Sequence, residues 1–104
     1  MANPWRGEVT LVLDQERYTA RLTLGALAEL EEQLGEASLV DLVERFETNR
    51  FSSRDVVALL GAGLRGGGAP VSDKMVAEGH IDGGPMAAAR VAAELLARAF
   101  VVPE

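Results

Sequence analysis

A single β-hairpin pattern near the N-terminus limits the fold more than any other feature of the chain. Apolar and polar residues alternate over residues 8–13 and again over 17–23, which is the period of a half-buried strand. The apolar side chains share one face of each predicted strand: Val9, Leu11 and Leu13 in the first, and Tyr18, Ala20 and Leu22 in the second. Residues 14–16 interrupt the pattern and predict a turn. Because an isolated hairpin is only marginally stable in water, its apolar face must pack against another element.

The rest of the chain has helical periodicity and clear helix start signals. Helix-capping residues precede the apolar stripes: Thr23, Ser38, Ser52 and Ser72. Ser38 with Asp41, and Ser52 with Asp55, resemble capping boxes, and Pro85 suits the first turn of the last helix. The predicted helices cover residues 24–34, 39–47, 53–64, 73–78 and 85–100.

These elements predict an α+β fold in which an N-terminal antiparallel β-hairpin is followed by four to five helices that cover one of its faces. The length of 104 residues suits a single small domain spanning 1–104, with the hairpin at 8–23 and the helical part at 24–100. Hydrophobic residues make up 48% of the chain and charged residues 25%, which is the balance of a globular protein.

The net charge of −6 lies entirely within residues 29–47. This stretch contains seven acidic residues and one basic residue, Arg45, whereas the remaining nine acids and nine bases cancel. Glu29, Glu31 and Glu32 lie near the end of a predicted helix, where negative charge is unfavourable by about 0.3–1 kcal/mol. They form either a docking surface for a basic partner or a solvated acidic face.

The last predicted helix is unusually apolar. Between Met86 and Val102 its charged residues are Arg90, Glu94 and Arg98, spaced by four. Either its many alanines let neighbouring elements pack closely around it, or part of its surface contacts a partner chain. The second interpretation assigns partner binding to an apolar set that includes a tryptophan near the N-terminus: Trp5, Val91, Leu95, Leu96 and Phe100.

The residues form no catalytic or cofactor-binding constellation, so we expect a protein that is not an enzyme and has no cofactor or metal. The chain has no cysteine and one histidine, His80, and most of its serines are better explained as helix caps. The acids near His80 match no metal-ligand spacing, and Arg65 with the following three glycines predicts a flexible connection rather than a phosphate loop.

The net charge and the length of the apolar segments argue against nucleic acid and membranes as partners. An acidic chain is a poor binder of phosphate backbones. No segment reaches the roughly 18 apolar residues that a membrane span needs, and the N-terminus does not resemble a signal peptide. We therefore expect a cytoplasmic protein, and its self-association stays open.

Several short sequence segments, taken in their order along the chain, resemble those of a known protein family. They are Arg6-Gly7-Glu8-Val9, the stretch from Leu22 to Glu31 (LTLGALAELE), Arg45-Phe46-Glu47, Phe51-Ser52-Ser53-Arg54-Asp55, and the stretch from Gly63 to Gly68 (GLRGGG). The chain resembles the small protein encoded beside the tail tube protein in gene transfer agents, the phage-like particles of alphaproteobacteria. That family is grouped with phage tail assembly chaperones and has also been labelled a tail tube protein.

The resemblance implies a non-enzymatic chaperone or adaptor of tail assembly, with the tail tube protein and the tape measure protein as partners. Two other functions stay open: a structural component retained in the virion-like particle, and a regulatory module that binds through its acidic segment. The resemblance implies no cofactor and no active site. The hairpin adds a further hypothesis, namely that an exposed edge strand pairs with a strand of the partner.

Overall fold

A computed structural model describes residues 7–35 and 38–100 of the chain. Its elements are two strands and five helices: β1 (Val9–Leu13), β2 (Glu16–Ala20), α1 (Leu24–Leu34), α2 (Leu39–Glu47), α3 (Ser53–Gly66), α4 (Asp73–Glu78) and α5 (Gly84–Ala99). The two strands pair in antiparallel order and the helices follow in one small α+β domain. The predicted fold class is therefore confirmed. Helix α3 extends two residues beyond its predicted end.

A tight two-residue turn joins the strands of the hairpin. Leu13 pairs with Glu16, so the turn is one residue shorter than predicted. Asp14 and Gln15 both have positive φ, 50° and 69°, which is the signature of the type I′ turn that matches the twist of a hairpin. On the outer edge of β1, the Asp14 amide donates to the His80 carbonyl at 2.8 Å and the Asp82 amide donates to the Val12 carbonyl at 3.1 Å.

The helix caps are those that the sequence predicts. Thr23 and Ser72 each accept a hydrogen bond from a backbone amide of the first turn of their helix, at 3.1 and 3.2 Å. Ser38 and Ser52 form complete capping boxes with Asp41 and Asp55. Because each cap satisfies amides that the helix itself leaves unpaired, it fixes where the helix begins.

Helix α3 is the centre of the core. All residues from Leu59 to Leu64 are buried, and α3 packs against β2, α1, α4 and α5. The apolar face of the hairpin, with Val9, Leu11 and Leu13 at 4% exposure or less, belongs to the same core. The helices thus supply the apolar surface that the hairpin needs.

Glycines let strand β2 lie directly against the end of α3. The Arg21 amide donates to the Gly63 carbonyl at 2.8 Å. A methyl group on Gly66 would overlap the Arg21 carbonyl oxygen, and one on Gly67 would overlap the Thr19 carbonyl oxygen. The predicted flexible connection is therefore wrong for these two glycines, which are packing positions where a side chain does not fit.

A partly buried ion pair connects α2 to α3. The guanidinium of Arg45 donates to both carboxylate oxygens of Asp55, from Nε to Oδ2 at 3.1 Å and from Nη2 to Oδ1 at 3.0 Å. Burial alone would raise the pKa of Asp55, but the hydrogen bonds from Arg45 and from the Ser52 amide outweigh it, and the pKa lies below its ordinary value. Asp55 thus serves both as a capping-box residue and as the anchor of α2.

We predict that Gly66→Ala destabilises the protein by about 1–3 kcal/mol, because the added methyl group must displace the backbone of Arg21. The matched control is Gly25→Ala in α1, where the nearest atom to the new methyl group lies 3.8 Å away. Thermal or urea unfolding of both variants measures the effect. Equal stability of the two variants would show that the close approach is not needed.

We predict that Asp55→Asn lowers the free energy of unfolding by about 1–2 kcal/mol at neutral pH. A carboxylate whose pKa is lowered on folding contributes fully above its ordinary pKa of 3.8, and the contribution is lost as the pH falls through the lowered value. The difference between wild type and Asp55→Asn should therefore shrink below about pH 4.

The control for this charge change is Asp41→Asn, which alters the equivalent capping-box residue of α2 at an exposed position. Asp41→Asn should lower the free energy of unfolding by less than Asp55→Asn does. If wild type and Asp55→Asn lose stability in parallel on acidification, the ion pair does not contribute as described.

Candidate functional site

Two apolar grooves flank helix α5. The larger one, here called the α3–α5 groove, has a volume of about 430 Å³ and lies between α3, α4 and the first half of α5. Its walls are mostly apolar and include Phe51, Val57, Leu60, Ile81 and Ala89. Polar side chains contribute little, since Ser53 and His80 supply the hydroxyl and the imidazole among the lining residues. Such a surface can hold apolar side chains of a partner.

The smaller groove, here called the α2–α5 groove, has a volume of about 260 Å³. Val43, Phe46 and Glu47 of α2 form one wall, and the other wall consists of α5 residues and the residue that follows them: Ala93, Leu96, Ala97 and Phe100. On each helix these residues are three or four positions apart, so they lie on one helical face. The volume is below the range of roughly 300–1,000 Å³ that is typical of small-molecule pockets.

A stacked pair of phenylalanines connects the two grooves, each ring lining one of them. The rings of Phe46 and Phe51 have centroids 4.5 Å apart and planes inclined by 7°. Phe46 lines the α2–α5 groove and Phe51 lines the α3–α5 groove. The two grooves are therefore neighbouring parts of one apolar surface.

The predicted partner-binding residues of the last helix are divided between the core and the surface. Leu95 is fully buried and Leu96 is 3% exposed, because together with Ala88 and Ala92 they form the inner face of α5. The expectation that Leu95 and Leu96 are displayed to a partner is wrong, although an edge of Leu96 lines the α2–α5 groove. Val91 is half-buried against the core.

Phe100, in contrast, is 50% exposed and forms one end of the α2–α5 groove. Trp5 lies outside the described residues. Ala93 and Ala97 could not be predicted as groove residues, because alanine carries no sequence signal for a binding groove. The stacking of Phe46 on Phe51 could not be predicted from the sequence either, because it depends on the packing of α2 against α3.

The acidic side chains of residues 29–47 also differ from one another, since some are held in ion pairs and others are exposed. Glu29 is paired with Arg65, which also lies 3.0 Å from Asp73 Oδ1 and donates to the Val71 carbonyl at 3.0 Å. Arg65 thus joins α1, α3 and the start of α4. Glu31 and Glu32 are exposed. On α2, the exposed acids are Asp41, Glu44 and Glu47, and the basic residue Arg45 is turned toward Asp55.

Within residues 7–35 and 38–100, several polar side chains are engaged in hydrogen bonds to the backbone. The hydroxyls of Ser38, Ser52 and Ser72 accept capping hydrogen bonds. The carboxylate of Asp14 accepts from the backbone amide of His80 at 2.8 Å. Over residues 7–35 and 38–100, no three His, Asp or Glu side chains converge as a metal site would need.

The outer edge of β1 offers little room for strand pairing. Arg98 donates to the Glu8 carbonyl at its start, and residues 80–82 occupy its end through the bridge between Leu13 and Ile81. Only the middle of the strand, around Thr10, lies between these contacts. An incoming strand would have to displace one of them.

No helix in the part of the chain that the structure describes is long and apolar enough to cross a membrane.

Comparison with known proteins identifies the family. A search of curated proteins and a search of solved structures give no match. A family model described as "Phage tail tube protein, GTA-gp10" matches residues 6–101, which is nearly the whole chain. The match covers the hairpin, all five helices and both grooves. The chain therefore belongs to the phage tail tube protein GTA-gp10 family, whose members are tail proteins of gene transfer agents.

Proposed function

We propose that this protein is a non-enzymatic chaperone or adaptor that binds the tail tube protein, the tape measure protein, or both, while the tail of a gene transfer agent is assembled. The observation that carries the proposal is the apolar surface formed by the α3–α5 and α2–α5 grooves. Such a surface on a small domain is typical of a protein that binds other chains. The family supports tail assembly as the setting.

A non-enzymatic role fits the polar side chains. The hydroxyls of Ser38, Ser52 and Ser72 are engaged as helix caps, and the carboxylate of Asp14 accepts a hydrogen bond from the backbone amide of His80. The protein would act in the cytoplasm of the producing cell, where the tail proteins are synthesised and assembled.

The family description favours a second function, a structural component of the tail. In that case the same grooves would hold neighbouring subunits in the finished particle. Quantitative mass spectrometry of purified particles distinguishes the two functions. Stoichiometric presence with the tail tube protein supports the structural role, and absence from particles supports the chaperone or adaptor role.

Co-purification tests the proposal directly. The tagged protein, co-expressed with the tail tube and tape measure proteins of a gene transfer agent from the same organism, should capture at least one of them. Phe100→Asp should weaken capture by about fivefold or more, because it places a charge on an exposed apolar wall.

Met86→Asp is the matched control, since Met86 is 79% exposed on the same helix and lines neither groove. Its capture should equal that of wild type, and circular dichroism should show that both variants are folded. Capture of neither protein by wild type, or an equal loss in both variants, would contradict the proposal.

A further inference from the structure

The shape of the α2–α5 groove suits the binding of a third helix. Its α5 wall runs over Ala93, Leu96, Ala97 and Phe100, which spans about 10 Å along the helix axis. Ala93 and Ala97 are both exposed, so a backbone can approach α5 closely at these small side chains. Across the groove, Val43 and Phe46 supply larger apolar side chains, and Val40, 73% exposed, continues the apolar strip of α2 by one turn.

The rim of this groove on the α2 side is acidic. Glu47 lines the groove, and Glu44, three residues earlier on the same helix, is exposed beside it. The single basic residue of α2, Arg45, does not offset them at the rim because its guanidinium is held by Asp55. On α5, Arg98 is engaged by Glu94 at 3.3 Å and by the Glu8 carbonyl, and Arg90 is exposed one turn before Ala93 without lining the groove.

The α3–α5 groove differs in the residues that line it. Among its described lining residues none is acidic, and the exposed acids Glu78 and Asp82 neighbour them in sequence without lining the groove. The α2–α5 groove, in contrast, has an acidic lining residue in Glu47. A partner helix with basic residues beside its apolar stripe therefore complements the α2–α5 groove directly.

We infer that the α2–α5 groove binds an amphipathic helix whose apolar stripe is flanked by lysine or arginine. The apolar stripe packs on Ala93, Ala97 and Phe100, and the basic residues pair with Glu44 and Glu47. Within the proposed function, on which this inference rests for its biological partner, such a helix belongs to the tail tube or tape measure protein. The partner thus binds as a helix in a groove, and not as a strand added to the hairpin.

A pair of synthetic peptides tests the groove without any tail protein. Each peptide forms about five helical turns with leucines on one face, and the flanking positions are lysine in one peptide and glutamate in the other. The lysine peptide should bind the full-length protein and shift the amide NMR signals of α2 and of residues 93–100. Its affinity should fall at high salt. The glutamate peptide should bind at least about tenfold more weakly.

Variants then locate the binding site on the protein. Ala97→Trp fills the groove and should weaken binding of the lysine peptide by about tenfold or more. Ala28→Trp is the matched control, because Ala28 is exposed on α1 and lines neither groove. The double variant Glu44→Lys/Glu47→Lys should weaken binding by about tenfold. Glu78→Lys/Asp82→Lys makes the same change in net charge at exposed positions outside both grooves and should leave binding unchanged.

The outcomes separate this inference from the proposed function. If tail proteins are captured equally by wild type and Ala97→Trp, or if Ala89→Trp in the α3–α5 groove removes binding instead, the inference is wrong while the proposed function stands. If the lysine peptide binds as described but no tail protein is captured, the groove chemistry is right and the proposed function is wrong. If the two peptides bind equally, the role assigned to Glu44 and Glu47 is wrong.

Discussion

The rest of the structure depends on the close approach between strand β2 and the C-terminal end of α3. Gly66 and Gly67 allow the backbone of β2 and Arg21 to lie against the helix, and the hydrogen bond from the Arg21 amide to the Gly63 carbonyl fixes the distance. Gly63 also faces Leu95, whose Cδ1 would lie 2.8 Å from a Cβ at this position. Because these glycines have no side chains, the hairpin, α3 and α5 pack into one core. The position of α5 then creates a groove on each of its sides.

The local features of the fold could be predicted from the sequence because their causes are local. A capping serine and its acidic partner are three residues apart, as with Ser52 and Asp55, and a strand face is defined by alternation over a few residues. The same reasoning could not find the contact between Arg45 and Asp55 on different helices. It also could not find that Gly66 and Gly67 are packing positions, since a run of glycines is equally typical of a flexible connection.

The candidate site was predictable only in outline. The unusual apolarity of the last helix points to α5 as a candidate surface, but the periodicity of that helix does not say which face meets α3. Leu95 and Leu96 therefore belong to the core, whereas the exposed groove is built by small residues such as Ala97 and by Phe46 from another helix. Likewise, charge counting located the acidic stretch, but only the ion pairs show that α2 keeps its negative charge at the rim of a groove.

Contact between the α2–α5 groove and a tail protein during assembly can be tested by site-specific photocrosslinking in producing cells. A photoreactive phenylalanine analogue replaces Phe100 at the end of the groove, where the native residue is already a half-exposed phenylalanine, or Arg17, an exposed residue on the hairpin. We expect a crosslink from position 100 to the tail tube or tape measure protein and none from position 17. No tail protein adduct at position 100, or equal adducts at both positions, would show that the groove does not make this contact.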